Sequence, residues 1–234
     1  MPHLEYSSSR RARSRRSPGR IVLFAAALLA ATAAATAPAS AAGEVRVHPG
    51  MSIRTDDEVC SIGMLGHIGN TKYAVTAGHC FEAKAAVSDE NGHRIGTFEM
   101  GVPDGEADDL GFALVRLSGN IVVSAKTDDL AISAVDSDPT EGQKVCKTGA
   151  RTGTTCGTIS AVTATHLRTT FAVDHGDSGG IVYSGTSYNM GVFVGMVVGM
   201  GDDFTLVQPA ERLGDLIRHR GPEGSDSFRW YVSK

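Results

Sequence analysis

The sequence predicts an all-β fold, a barrel or sandwich of many short strands with one helix near its far end. Two observations predict it. Short apolar runs recur along the chain, each broken by Gly, Asp or Asn, which is the rhythm of strands and turns. Only the stretch after Pro209 spaces its apolar residues as a helix does. In chain order, residues 45–54 lead into the first strand. Further strands are expected at 60–65, 72–76, 96–100, 109–117, 143–147, 157–162, 167–173, 180–183 and 191–200. Pro209 opens the helix, Leu213, Leu216 and Ile217 share one of its faces, and Gly221-Pro222 ends it. The last dozen residues read as a loose tail.

The first 41 residues read as a separate leader. Arg10, Arg11, Arg13, Arg15, Arg16 and Arg20 form a basic region, residues 21–37 are apolar, and Ala39-Ser40-Ala41 offers a small-residue cleavage site. That order is the pattern of a secretory signal peptide. An uncleaved anchor is the alternative, because the apolar run is close to the minimum for a membrane span. Residues 42–234 suit one domain, or one two-barrel unit with a shared cleft, and are enough to bury a sizeable core. The leader holds six of the 22 basic residues and one of the 26 acidic ones, so the remainder carries 16 and 25, a formal charge of −9. No basic patch argues for nucleic acid; the acidity reads as solubility and selects no partner.

Cys60, Cys80, Cys146 and Cys156 remain after export, where disulfides are favoured over metal. No C-x-x-C pair is present, so no metal is expected. Four cysteines allow three pairings, and proximity favours Cys60–Cys80 and Cys146–Cys156.

The chemistry is concentrated in Asp174-His175-Gly176-Asp177-Ser178-Gly179-Gly180. It sets Ser178 among three glycines in a strand–turn–strand context. Glycine accepts positive φ and lets a substrate backbone approach. The amides of Gly176 and Ser178 can point at one spot and stabilise an oxyanion. Upstream, Thr76-Ala77-Gly78-His79-Cys80 is built around a histidine, and Asp109-Leu110-Gly111-Phe112-Ala113-Leu114 lies between the two. A serine hydroxyl needs a neighbouring base, and the base needs an orienting group. The order His79, Asp109, Ser178 is one of the orders in which such triads occur. Asp109 is preferred to its neighbour Asp108 because Leu110, Phe112 and Leu114 alternate after it as a buried strand would. A nucleophile elbow of the α/β-hydrolase type is disfavoured. It requires a helix after the serine, whereas Ile181-Val182-Tyr183 is strand-like, and the one later histidine is His219.

With these motifs in place, the chain resembles the chymotrypsin-fold serine proteases, particularly the secreted bacterial branch that includes α-lytic protease and the streptogrisins. The resemblance spans residues 50–221. It is carried by the His79 and Ser178 motifs, by Val145-Cys146-Lys147-Thr148-Gly149 with Cys156-Gly157-Thr158-Ile159, and by Val207-Gln208-Pro209 before the helix. It implies two six-stranded antiparallel β-barrels with a C-terminal helix and the triad in the cleft between the barrels. It also implies endopeptidase chemistry through an acyl-enzyme, without a cofactor, on protein or peptide substrates. By position His79 would be the general base, Asp109 the orienter and Ser178 the nucleophile, with oxyanion amides from Gly176 and Ser178. Substrate contacts would come from Ala172, Val173, Val198, Gly199 and Met200. These are largely apolar, so a hydrophobic side chain is expected before the cut bond. Asp174, Asp202 and Asp203 lie close by, and any of them inside the pocket would favour a basic one. In this branch an internal base after the loop cysteine pairs with the acid before the nucleophile, which points to Lys147, with Arg151 in reserve, opposite Asp177. The chain departs from the family's pattern at Val198, where a serine that supports the catalytic Asp is usual. A third disulfide is also missing. The reading is a secreted, monomeric serine endopeptidase with no stable membrane association; a protease-like binding protein that has lost turnover is the alternative.

Overall fold

The computed structural model describes residues 43–105, 109–186 and 189–234. The leader, Asp108 and the rest of 106–108 lie outside the described residues. The first half of the fold contributes β1 (Val45–Val47), β2 (Ser52–Arg54), β3 (Val59–Ser61), β4 (Met64–Ile68), β5 (Thr71–Thr76), β6 (Ala86–Ser88), β7 (Arg94–Val102), β8 (Phe112–Leu117) and β9 (Ile121–Val123). The second contributes β10 (Ala131–Val135), β11 (Lys144–Gly149), β12 (Gly153–Val162), β13 (Leu167–Thr169), β14 (Ile181–Gly185), β15 (Met190–Met200) and β16 (Thr205–Pro209). The helix α1 (Ala210–Arg220) and the short β17 (Arg229–Trp230) follow.

The fold is all-β with one C-terminal helix. In the second half the strands run β15-β14-β11-β12-β13-β16, and a direct β15–β16 pairing closes them into a six-stranded barrel, with β10 added parallel to β15. In the first half an eight-stranded sheet, β17-β4-β5-β8-β7-β6-β2-β3, stays open between its edge strands. A further parallel pair joins β1 to β9. No described helix is long and apolar enough to cross a membrane.

Burial explains why the sequence periodicity was uneven. In β8, Phe112, Ala113, Leu114 and Val115 are all fully buried, so both faces are covered and no polar alternation marks the strand. The barrel interior is filled by Val145, Ile159, Leu167, Phe171, Val182, Val194, Val197 and Val207. A larger cluster joins Met64, Leu65, Val75, Ile95 and Phe112 of the first sheet to Phe193, Leu213, Ile217 and Phe228. Each fully buried side chain of this kind stabilises the fold by about 1.5–3 kcal/mol.

Pro209 caps α1 with extended dihedrals, and Gly221 follows its last turn. Leu213 and Ile217 face the core, and Leu216 packs at its margin. The expected loose tail is instead an ordered strap. Phe228 is fully buried, and Trp230 meets both Phe193 and Phe228 edge-on, at 5.0 and 4.8 Å between ring centroids. The Tyr231 amide donates to the Leu65 carbonyl and the Ser233 amide to that of Ile132. These residues are tied to both halves because two aromatics among the last few residues have a core to enter, and the polar sequence around them hid that.

Candidate active site

The end of β5 runs into a single turn of 3-10 helix, Gly78–Cys80, that presents His79. The Cys60–Cys80 disulfide ties this turn to β3. The second disulfide joins Cys146 to Cys156, directly opposite each other across β11 and β12.

The partner of His79 is Asp104, which follows β7 in the Pro103-Asp104-Gly105 loop. Its Oδ1 lies 2.9 Å from His79 Nδ1. A carboxylate has no proton to give, so Nδ1 donates and Nε2 is left as the basic nitrogen. The same carboxylate accepts the backbone amides of Gly78, at 2.9 Å, and His79, at 2.7 Å. The Asp104 side chain is fully buried, while that of His79 is 43% exposed, so the imidazole is open to solvent and its carboxylate partner is not. The hydrogen bond that His79 donates to Asp104 raises the His79 pKa above the ordinary histidine value; burial opposes this, and the charges of Asp104 and Glu58 add to it.

The structure thus pairs His79 with Asp104 and not with the expected Asp109. Asp109 is exposed and precedes β8 rather than starting it. Gly111, between them, gives its amide to the Gln208 side chain instead of to a strand ladder. A usable signal was present in Val102-Pro103-Asp104-Gly105, where proline and glycine mark a turn directly after a long strand.

Ser178 sits half-buried on the turn before β14. Its segment reaches the His79 turn by backbone packing. A Cβ on Gly179, at φ +82°, would overlap Thr76 Oγ1 and the Ser61 carbonyl and lie 3.0 Å from the Ala77 amide nitrogen. Only a glycine fits there, so Ser178 is brought next to the residues that lead into His79. Among the described residues Ser178 Oγ makes no hydrogen bond, and such contacts often tighten only with substrate in place.

The amides along this turn fall into two sets. His175 donates to Asp174 Oδ1, Asp177 to the Asp174 carbonyl, Gly179 to that of Val197 and Gly180 to that of Asp177. Gly176 and Ser178 donate to no acceptor among the described residues. Gly176 has φ +103°. Two half-buried N–H groups, two residues apart, are therefore left for an external oxygen.

Beneath the turn, Asp177 and Lys147 form a fully buried ion pair at 3.1 Å. Asp177 also accepts from Thr152 Oγ1 at 2.7 Å, and from the amides of Arg151, Thr152 and Asp174 at 2.9, 3.1 and 3.0 Å. Lys147 donates further to Thr152 Oγ1 and to the Gly153 carbonyl. Burial works to raise the Asp177 pKa, but donors from Thr152, Asp174 and Lys147 hold it below the ordinary aspartate value. Burial draws the Lys147 pKa down against the pull of Asp177. Arg151 pairs instead with exposed Asp174, at 3.6 Å.

Of the expected substrate contacts, Ala172, Val173 and Met200 line a pocket of about 290 Å³ together with Phe171, Phe204, Asp202 and Asp203. Val198 is 7% exposed on β15, where the strand pairing shifts register between Val197 and Gly199. Val198 and Gly199 do not line that pocket. The Gly201 amide donates to the Phe204 carbonyl, so a tight turn carries Asp202 and Asp203 into the pocket lining. Asp174 is exposed outside it. Among the described residues no cluster of His, Cys, Asp and Glu is arranged to hold a metal.

No family model matches the sequence. An uncharacterized protein of Mycobacterium tuberculosis strain CDC 1551 / Oshkosh is 34% identical over 189 residues, spanning 72% of this chain and 82% of the relative. Its counterpart in strain ATCC 25618 / H37Rv is 33% identical over the same span. Streptogrisin-D of Streptomyces griseus is 28% identical over 142 residues, 54% of this chain and 35% of its own length. Among solved structures, Nocardiopsis protease is 26% identical with a TM-score of 0.65, covering 80% of this chain and all of that one. Thermobifida fusca protease A is 22% identical with a TM-score of 0.63, over 81% of this chain and all of that one. The fold is that of the bacterial chymotrypsin-fold serine proteases. Within that class, the chain belongs to the family of the two uncharacterized M. tuberculosis proteins.

Proposed function

We propose that the protein is a secreted serine endopeptidase. The observation that carries this reading is the pairing of a buried, doubly anchored Asp104 with His79, next to a Ser178 turn that leaves two amides unpaired. Ser178 Oγ attacks the substrate carbonyl. His79 Nε2 takes its proton and later returns it to the leaving amine, while Asp104 holds the imidazole and stabilises its charged form. The Gly176 and Ser178 amides receive the oxyanion, a stabilisation worth about 10² to 10³ in kcat for one donor. Water then hydrolyses the acyl-enzyme. No cofactor is required by this chemistry.

Ala172, Val173, Met200 and Phe204 in the pocket lining favour an apolar side chain before the cut bond, while Thr170, Asp202, Asp203 and Thr205 make part of the lining polar. The basic, apolar, small-residue order of residues 1–41 supports cleavage of a signal peptide and export of residues 42–234. The two disulfides fit an oxidising compartment.

A fluorophosphonate probe tests the mechanism directly. Labelling of Ser178 in the purified protein, abolished in Ser178→Ala with the melting temperature unchanged, is the expected result. Val198 places no hydroxyl near the site, and this favours one rival, a binding protein without turnover. Absence of labelling in the folded wild-type protein would establish that rival.

A further inference from the structure

The unpaired amides of Gly176 and Ser178 lie on a turn with few constraints of its own. A glycine at φ +103° has no Cβ to resist rotation, and a rotated peptide would carry a donor away from the cleft. What opposes rotation comes from the other half of the molecule. Ser61, the last residue of β3, is fully buried and uses all its polar groups at this point. Its hydroxyl donates to the Gly176 carbonyl at 2.8 Å. Its amide donates to the Ser178 carbonyl at 2.8 Å. Its Oγ accepts the Ala150 amide at 2.8 Å, which commits the hydroxyl proton to Gly176. Its carbonyl accepts Thr76 Oγ1 at 2.8 Å.

We propose that Ser61 is a positioning residue that locks the oxyanion-binding turn, by holding the carbonyls of both residues whose amides face the substrate. The two donors sit on the barrel side of the cleft, and their clamp sits on the sheet side. Cys60, its neighbour, is bonded to Cys80, and Cys80 follows His79. Ser61 thus sets the oxyanion donors against the same backbone that carries the base. Substrate binding in the ground state does not need that alignment; transition-state stabilisation does.

The inference rests on the serine peptidase reading. Its test is Ser61→Ala, which removes one hydroxyl from a buried site without adding volume. The expected result is a kcat about 10- to 100-fold lower, as for a misplacement of catalytic groups, with KM changed less than about twofold. The affinity of a peptide boronate should fall in step with kcat/KM, while that of the cleaved product peptide stays as in the wild type. A second measurement is independent of activity. The Gly176 carbonyl and the Asp177 amide share one peptide unit, so release of the first should speed hydrogen exchange of the second, which otherwise donates to Asp174. A variant with lowered melting temperature but wild-type kcat and wild-type exchange at Asp177 would make Ser61 a packing residue only and overturn the proposal. If the wild-type protein neither hydrolyses peptides nor takes the fluorophosphonate, the peptidase reading fails, and the exchange experiment still decides whether Ser61 locks the turn.

Discussion

His79 Nδ1 and Asp104 Oδ1 stand 2.9 Å apart, and the backbone amides of Gly78 and His79 close on the same carboxylate. The acid is thus held by the short helix that presents the base, and the ring can carry its proton on only one nitrogen. Asp104→Asn can pair with Nδ1 in the wrong tautomer. It should lower kcat/KM by about 10⁴ while leaving the fold intact. Asp109→Asn, on an exposed residue, should leave kcat/KM within about twofold. Equal losses in the two variants would show that the pairing is not used in catalysis.

The pH profile follows from the same contact. His79 acts as a base only when neutral, and its pKa lies above the ordinary value of about 6.5. Activity should therefore rise with pH through a midpoint above that value. Replacing Glu58, whose charge adds to the shift, by Gln should move the midpoint down. The linked contribution to stability has the opposite sense. It is present in full below about 6.5 and disappears as pH rises through the raised folded value. A midpoint unmoved in Glu58→Gln would argue against this electrostatic account.

Lys147 and Asp177 are both fully buried, so removing one charge strands the other. Lys147→Met should cost about 3–5 kcal/mol in urea unfolding and lower kcat by loosening the turn above. Adding residues before Gly43 should leave activity unchanged, because the partner of Asp177 is internal. On the acid side, the stabilisation from Asp177 is present above the ordinary carboxylate value of about 3.9 and lost as pH falls through its lowered folded value. The variant should unfold at higher pH than the wild type. An unchanged acid midpoint would remove the pair from the stability account.

Specificity can be read with substrates carrying Phe, Leu, Ala, Glu or Lys before the cut bond. The pocket walls predict Phe and Leu over Glu, by more than the 10- to 200-fold that one methylene can contribute. Asp202 and Asp203 put two carboxylates in the pocket lining. If Lys is preferred and Asp203→Asn abolishes that preference, the carboxylates rather than the apolar wall select the substrate.

The His79 and Ser178 segments were legible because each is a compact string whose residues are neighbours in sequence. The carboxylate that pairs with His79 was not. Asp104 reaches His79 by the path of β7, across 25 residues, and nothing in the local pattern encodes that path. The alternation after Asp109 was real, but Phe112–Val115 are buried on both faces, so it carried no information about where the strand begins. The strands β9, β10 and β17 are short outer pieces, and β6 is a three-residue strand between β7 and β2; their pairing comes from their partners and not from local apolar content. Ser61 could not be singled out at all, since its four contacts come from segments spread across the chain.

The strap that joins Tyr231 to Leu65 and Ser233 to Ile132 bears on how the molecule reaches its native state. These bonds connect residues separated by most of the described chain, so they can form only late, after both halves have nearly taken shape. Folds dominated by such distant pairings form slowly, over milliseconds to seconds. The two halves therefore have to take shape before the strap can join them.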